Sequence, residues 1–192
     1  MKDKMTKANN EPLDELLIRF GLTDLDWDFI LVGDGSGSNW KKESGWACTS
    51  IEKANMERKI WFGAMNSGTV NFSEMMAYLQ PLNWYASREL DKRAATHRVE
   101  FPRVHIFTDS KYCKDMGDSG SSGYGAKRKN FILWNLFSSF ARAGILVHWH
   151  WIPRGSLELN VLVDKISKEA RKNLSNFSQE VAEKNDPYKI NP

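Results

Sequence analysis

The sequence has little of three features that would each point to a particular class of protein. It contains two cysteines in 192 residues, too few for the disulfide framework of a small secreted domain. Cys48 and Cys113 lie in separate predicted elements, so we expect reduced thiols. No run approaches the roughly 18 consecutive apolar residues of a membrane helix, and we find no apolar signal segment. We therefore expect a cytoplasmic protein with no membrane contact.

The composition that is present indicates one globular domain. A chain of 192 residues, 41% hydrophobic and with a net charge of +3, can bury a sizeable core. We expect a monomer with an N-terminal extension carrying a short helix (1–25), a folded domain (26–172) and a C-terminal tail (173–192). The pI near 8.8 permits a nucleic-acid partner without requiring one.

The order of apolar runs and breakers predicts an α/β fold with a five-stranded mixed sheet flanked by helices. Predicted strands cover residues 27–32, 45–51, 59–65, 103–108 and 145–152, and predicted helices begin near residues 72, 133 and 160. The glycine-rich stretch 33–37 predicts a tight turn after the first strand. Pro81 predicts a bend or an early end of the first long helix. The charged stretch 87–100 predicts a surface loop.

Four acidic residues stand at the ends of apolar strands or on the inner faces of predicted helices. They are Asp34, Glu74, Asp109 and Asp164. A buried charge is costly unless a positive charge compensates it, and a divalent metal would do so. Magnesium prefers oxygen ligands and keeps several waters, so about four carboxylates can hold two ions. Two such ions roughly 3.5 to 4 Å apart can promote phosphodiester hydrolysis, which is the chemistry of a nuclease.

Ordinary structural roles are open for two of these acids. Asp34 precedes a glycine, and an Asp-Gly pair is common in turns. Glu74 stands three residues after Asn71 and could close a capping box for its helix.

The other two acids also have alternative explanations. Either Asp109 or Ser110 could be the N-cap of the helix after the fourth strand. Asp164 lies four residues before Lys168 and could form a surface ion pair. Singly these explanations suffice, but together they do not explain why the acids occur in this order on these elements.

A set of motifs surrounds the four acids in a fixed order. They are Asp34-Gly35-Ser36, Gly45-Trp46, Thr69 to Met75 around Glu74, Thr108 to Tyr112 around Asp109, and Trp151-Ile152-Pro153-Arg154 followed by Asn160 and Asp164. Over roughly residues 27–172 this ordered set resembles type 1 ribonuclease H, in a variant that lacks the family's loop histidine. The resemblance implies that the four acids are catalytic and bind two Mg²⁺ ions, with Mn²⁺ as an alternative. It further implies hydrolysis of the RNA strand of RNA/DNA hybrids.

The same resemblance places substrate contacts at Asn71, Asn39, Lys111, Ser36 and Arg154. Asn71 matches a position that reads the minor groove near the 2'-hydroxyls. The basic cluster 127–129 fits a phosphate contact. His148 and His150 are expected to be sheet residues, because imidazole is not a favoured magnesium ligand.

Two rival functions remain open at the level of sequence. A ribonuclease H-fold nuclease could act on another nucleic acid, such as a DNA junction or a single strand. Alternatively, the chain could be a catalytically inactive nucleic-acid-binding module, an idea favoured by the missing histidine. Retention of four mutually repelling acids argues against the inactive module.

Overall fold

Strands and helices follow one another much as the hydrophobic pattern predicts. The computed structural model describes residues 13–23, 26–37, 43–66, 68–96, 101–119 and 130–172. Its elements, in chain order, are α1 (Leu13–Arg19), β1 (Phe29–Gly37), β2 (Ser44–Glu52), β3 (Glu57–Met65), α2 (Val70–Thr96), β4 (Arg103–Thr108), α3 (Lys111–Asp118), α4 (Phe131–Arg142), β5 (Leu146–Trp151) and α5 (Glu158–Lys172).

The five strands form one mixed sheet in the order β3-β2-β1-β4-β5. The first three strands are antiparallel neighbours, whereas β4 and β5 run parallel to β1. This arrangement confirms the predicted five-stranded mixed sheet flanked by helices.

Alternate residues of β1 supply the cores on the two faces of the sheet. Phe29 and Leu31 point to the larger core beneath α2, α3 and α4. Ile30 and Val32 point to the opposite face, where α5 contributes a further buried cluster. The central strand is therefore buried on both faces, as expected for a strand covered by helices on each side.

The tight turn predicted at residues 33–37 is wrong, because these residues continue β1 and pair with β2 from Gly33 opposite Cys48 to Gly37 opposite Ser44. The glycines are needed for packing instead. A Cβ on Gly35 would lie 2.2 Å from the backbone nitrogen of Glu74, and one on Gly33 would lie 2.7 Å from the ring of Tyr78. The missing side chains let α2 approach the strand closely.

The surface loop predicted at residues 87–100 is wrong for residues 87–96, since α2 continues through Thr96 and is 27 residues long; residues 97–100 lie outside the described residues. Pro81 does not end this helix but lies buried within it. The charged second half has partners: both outer nitrogens of Arg88 contact the carboxylate of Glu52 on β2, at 2.8 and 3.1 Å. No helix in the described parts of the chain is both long enough and apolar enough to cross a membrane.

Helix α1 docks on the sheet face that α5 leaves open. The ring of Phe20, just after α1, makes edge contacts with Phe107 at 5.5 Å and His150 at 4.9 Å between centroids. His148 and His150 lie in β5, as predicted, and Nε2 of His150 is 2.9 Å from Nδ1 of His105. The domain boundaries at residues 25 and 172 stay predictions, and the tail 173–192 lies outside the described residues.

Candidate metal centre

The register of the central strands brings two of the acids side by side. In the parallel pair β1 and β4, Val32 is opposite Phe107, and Asp34 and Asp109 each stand two residues further along. Their side chains therefore reach the same end of the sheet, where sites gather in open α/β folds. Asp109 is free for this role because the N-cap of α3 is Ser110, whose Oγ accepts a hydrogen bond from the Cys113 nitrogen at 3.4 Å.

Helix α2 contributes the third acid, Glu74, at the point where the helix packs closely against Gly35. The first turn of α2 is capped by Thr69, whose Oγ1 accepts from the Phe72 nitrogen at 3.2 Å. The alternative explanation, a capping box closed by Asn71 and Glu74, is therefore wrong. The Glu74 carboxylate instead accepts a hydrogen bond from the backbone of Gly35, which orients it toward Asp34.

The fourth acid comes from α5. One oxygen of Asp164, Oδ2, pairs with Lys168 at 2.5 Å, so the expected i,i+4 ion pair is present. The other oxygen, Oδ1, is buried and has no hydrogen-bond partner in the described part of the chain. One turn further along α5, Ser167 donates from Oγ to Oδ2 of Asp34 at 3.0 Å. Helix α5 thus contributes both an acid and a group that orients another acid.

We call Asp34, Glu74, Asp109 and Asp164 the acid cluster. Ligand oxygens of Asp34, Glu74 and Asp109 lie within 4.8 Å of one another. Each of the four acids has one buried oxygen with no hydrogen-bond partner among the described residues. Asp164 is not in this group of three, but its Oδ1 shares the Nη2 atom of Arg154 with Oδ1 of Asp34, at 3.7 and 3.9 Å. Buried carboxylate oxygens are normally paired, so three grouped acids with a fourth beside them indicate a site for a cation. An all-oxygen donor set suits Mg²⁺ or Mn²⁺.

Burial and the closeness of the carboxyl groups also raise the pKa values in the acid cluster. Burial, followed by repulsion from Asp109 and Asp164, raises the pKa of Asp34 to about 7. Burial and repulsion from Asp34 and Asp109 raise the pKa of Glu74 well above its usual value. Burial also raises the pKa of Asp109, against the attraction of Arg154. A divalent ion would favour the charged forms of all three carboxyls.

A turn between β5 and α5 places one arginine at the rim of the acid cluster. We call residues 153–156 the arginine turn; it is closed by a hydrogen bond from the Ser156 nitrogen to the Pro153 oxygen at 3.1 Å. Asn160, at 1% exposure, accepts from the Gly155 nitrogen at 2.8 Å. Burial raises the pKa of Asp109, and the nearby Asn160 side chain opposes part of that rise. Asn160 therefore links the arginine turn to the acid cluster.

The predicted substrate-contact residues differ in their exposure to solvent. Asn71 and Lys111 are exposed at the starts of α2 and α3, and Nζ of Lys111 lies 5.7 Å from the ring centre of Trp151. Ser36 is buried, and its Oγ donates to the Ser167 oxygen at 2.9 Å. Asn39 and the basic cluster 127–129 lie outside the described residues. The substrate roles of all these residues stay predictions.

Two residues that orient the acids, Ser167 and Asn160, carry no motif that assigns them this role. Ser167 follows Asp164 by three residues on the buried side of α5, and Asn160 precedes it by four. This helical spacing was the available signal, because residues three and four apart share a helix face. Their partners, Asp34 and the backbone of Gly155, cannot be identified from spacing on α5.

The architecture and the acid cluster define a ribonuclease H-like fold, and solved structures agree. The chain is similar to the N-terminal ribonuclease H domain of rv2228c from Mycobacterium tuberculosis, solved as a fusion with maltose-binding protein. The TM-score is 0.52 at 16% identity, covering 77% of this chain and 95% of that one.

A second solved structure is LC11-RNase H1 in complex with an RNA/DNA hybrid. The TM-score is again 0.52 at 16% identity, with 76% of this chain and 97% of that one covered. No protein-family model matches the chain, and no curated protein matches it. The likeness therefore establishes the fold.

Proposed function

We propose that this protein is a metal-dependent endoribonuclease that hydrolyses the RNA strand of RNA/DNA hybrids. The observation that carries the proposal is that Asp34, Glu74 and Asp109 present ligand oxygens within 4.8 Å of one another. These three acids and Asp164 each have a buried oxygen with no hydrogen-bond partner among the described residues. The fold shared with a ribonuclease H bound to a hybrid supports the same substrate.

Each acid has a distinct part in this proposal. Asp34 and Asp109 are the central ligands, because the sheet register holds them side by side. Glu74 and Asp164 complete the set from the two flanking helices. When bound, two divalent ions would supply an activated water and a charge that steadies the leaving oxygen. Ser167 keeps the Asp34 carboxylate oriented, leaving its Oδ1 available as a ligand.

Substrate recognition is proposed at the exposed residues around the acid cluster. Asn71, exposed at the start of α2, would contact a 2'-hydroxyl, the group that distinguishes RNA from DNA. Lys111 and Trp151 lie beside Asp109, since the Trp151 indole nitrogen donates to the Asp109 backbone oxygen at 3.2 Å. A cation and an exposed ring at this position suit a phosphate and a base or sugar.

The test is a cleavage assay with an end-labelled RNA/DNA hybrid, double-stranded RNA, DNA duplex and single-stranded DNA. Each substrate is incubated with Mg²⁺, Mn²⁺ or a chelator. We expect cleavage of the RNA strand of the hybrid, with 3'-hydroxyl and 5'-phosphate ends, in either metal and none in chelator. Preferred cleavage of DNA would favour the rival nuclease, and binding without cleavage would favour the inactive module.

A further inference from the structure

Arg154 reaches over the acid cluster from the arginine turn. Its Nε lies 3.3 Å from Oδ2 of Asp109, and its Nη2 lies 3.9 Å from Oδ1 of Asp34 and 3.7 Å from Oδ1 of Asp164. These are three of the four acid-cluster oxygens that are buried without a hydrogen-bond partner among the described residues. The guanidinium is therefore directed at the oxygens that a metal ion would need.

These ion pairs are long, whereas a tightly held arginine pair elsewhere in the molecule is short. Charge-assisted N–H···O hydrogen bonds are usually about 2.7 to 2.9 Å, and Arg88 approaches this with Glu52. Arg154 forms no such bond with any acid of the cluster, and its side chain is 72% exposed. It therefore balances charge at the rim without being locked in place.

The backbone beneath Arg154 is fixed even though its side chain is free to turn outward. The arginine turn is closed by its own hydrogen bond, and Asn160 holds it to α5. Gly155, with φ of +69°, provides the left-handed conformation that the turn requires. A fixed backbone with a long exposed side chain lets the guanidinium leave the acid cluster without rearranging the ligands.

A metal ion and the guanidinium would compete for the same oxygens, because both are positively charged. A Mg²⁺ ion bound to Oδ2 of Asp109 would lie about 2.1 Å from that oxygen, while Nε of Arg154 is already 3.3 Å from it. The two positive charges would then be close together in a buried site. We propose that Arg154 is the resident counter-cation of the metal-free acid cluster and that a divalent ion displaces it.

The proposal rests on the metal site of the proposed function and makes a prediction that a fixed arginine would not. A group that stabilises only the metal-free state must weaken metal binding by the same factor. We therefore expect Arg154→Gln to lower the Tm in chelator and to leave the Tm in saturating Ca²⁺ unchanged. Binding of Ca²⁺, measured by titration calorimetry, should tighten by about 2- to 5-fold, the upper part of the range for weak pairs of this exposure.

Lys168→Gln is the matched control, because it removes one positive charge from the opposite oxygen of Asp164. We expect it to lower the Tm equally in chelator and in Ca²⁺, and to change Ca²⁺ affinity by less than about twofold. Both variants use the full chain, and circular dichroism checks that they are folded. Ca²⁺ serves as the probe because it takes carboxylate ligands and gives a readout independent of cleavage.

A second measurement follows the side chain itself in the unaltered protein. The Nε–H resonance of Arg154, assigned by its loss in Arg154→Gln, should shift during the Ca²⁺ titration with the same Kd as the calorimetry. An equal loss of Tm with and without Ca²⁺, or an unmoved resonance at saturation, would overturn the displacement and leave the metal site intact. Failure of the cluster to bind Ca²⁺ would overturn the displacement, while the hybrid-cleavage assay would decide the proposed function separately.

Discussion

Two buried carboxylates lie along helix α2, and their pairing with cations differs. One is Glu52 of β2, beside the C-terminal half of the helix, and the other is Glu74 in its first turns. Near its C-terminal end, Arg88 forms two hydrogen bonds with Glu52, and Lys92 lies 3.8 Å from the same carboxylate. Near its N-terminal end, Glu74 joins the acid cluster. Among the described residues, its buried ligand oxygens form no short pair with a cation, although Lys168 pairs with the other oxygen of Asp164. Both carboxylates are about 5% exposed. The protein can therefore compensate a buried acid fully, and it does not do so at the acid cluster.

This difference separates a structural ion pair from a binding site. A fully paired carboxylate has no capacity left for an ion, and its partners keep it charged. Carboxyl groups that are buried, close together and underpaired have raised pKa values and free ligand oxygens. Such a group of residues costs stability in the metal-free protein, so its presence indicates a function. The comparison between the Glu52 pair and the acid cluster can be tested by changing each end in turn.

The largest expected contrast is in catalysis. We expect Asp109→Asn to reduce hybrid cleavage by more than about 100-fold, because loss of a ligand should cost at least as much as loss of a group that orients one. Glu52→Gln makes the same chemical change at the other end of the molecule and should cleave at the rate of the unaltered protein. Rates are measured in Mg²⁺ under single-turnover conditions. Full activity of Asp109→Asn would contradict the assignment.

The pH dependence of stability should also differ between the two ends. In the unfolded chain Asp34 titrates near 3.8, but in the fold its pKa is about 7. Between these values the folded protein holds a proton that the unfolded chain has released. In chelator, stability should therefore fall as the pH rises from about 4 to about 7, by a few kcal/mol at about 1.4 kcal/mol per pKa unit.

Asp34→Asn should make this decline shallower and should raise the Tm at pH 8 in chelator. The measurement is thermal unfolding across pH 4 to about 8.5, with Glu52→Gln as the control that keeps the decline. Parallel pH profiles for Asp34→Asn and the unaltered protein would show that Asp34 carries no raised pKa.

Breaking the compensated end should cost stability whether or not metal is present. Arg88→Ala leaves the Glu52 carboxylate with only the more distant Lys92, so we expect a loss of about 1 to 3 kcal/mol in the free energy of unfolding. Urea unfolding in chelator and in Ca²⁺ measures both values. A loss that vanished in Ca²⁺ would mean that the Glu52 pair and the acid cluster are coupled, and it would contradict their independence.

The smallest expected effect concerns the group that orients Asp34. Ser167→Ala removes the hydrogen bond to Oδ2 of Asp34, which should cost about 1 kcal/mol of stability. It should also weaken Ca²⁺ binding by about 10-fold, as loss of an orienting partner usually does. Ser138→Ala is a suitable control, since this buried hydroxyl makes no side-chain hydrogen bond. Unchanged Ca²⁺ affinity in Ser167→Ala would remove Ser167 from the site.

Local pattern was enough to predict the elements whose environment is simple. Strand β4 has the predicted bounds because Val104 and Ile106 alternate with residues of the opposite face. The four acids could be predicted because a carboxylate recurs at the end of a strand or on the inner face of a helix in each case. The structure brings them together through the sheet register and the docking of two helices.

Features that depend on distant partners could not be predicted in this way. The glycines from Gly33 to Gly37 resemble a turn in sequence, and only the approach of α2 shows why they lie in a strand. The charged half of α2 resembles a loop because its partner, Glu52, is 36 residues away from Arg88. The direction of the Arg154 side chain likewise follows from the arginine turn and Asn160 rather than from its neighbours in sequence.

The most direct test of the metal centre is a crystal structure of the protein soaked in Mn²⁺, with anomalous scattering to locate the ions. We expect one or two manganese peaks within about 2.5 Å of the carboxylate oxygens of Asp34 and Asp109, with Glu74 or Asp164 completing each set. Manganese bound only at other surface carboxylates, with the acid cluster empty, would contradict it.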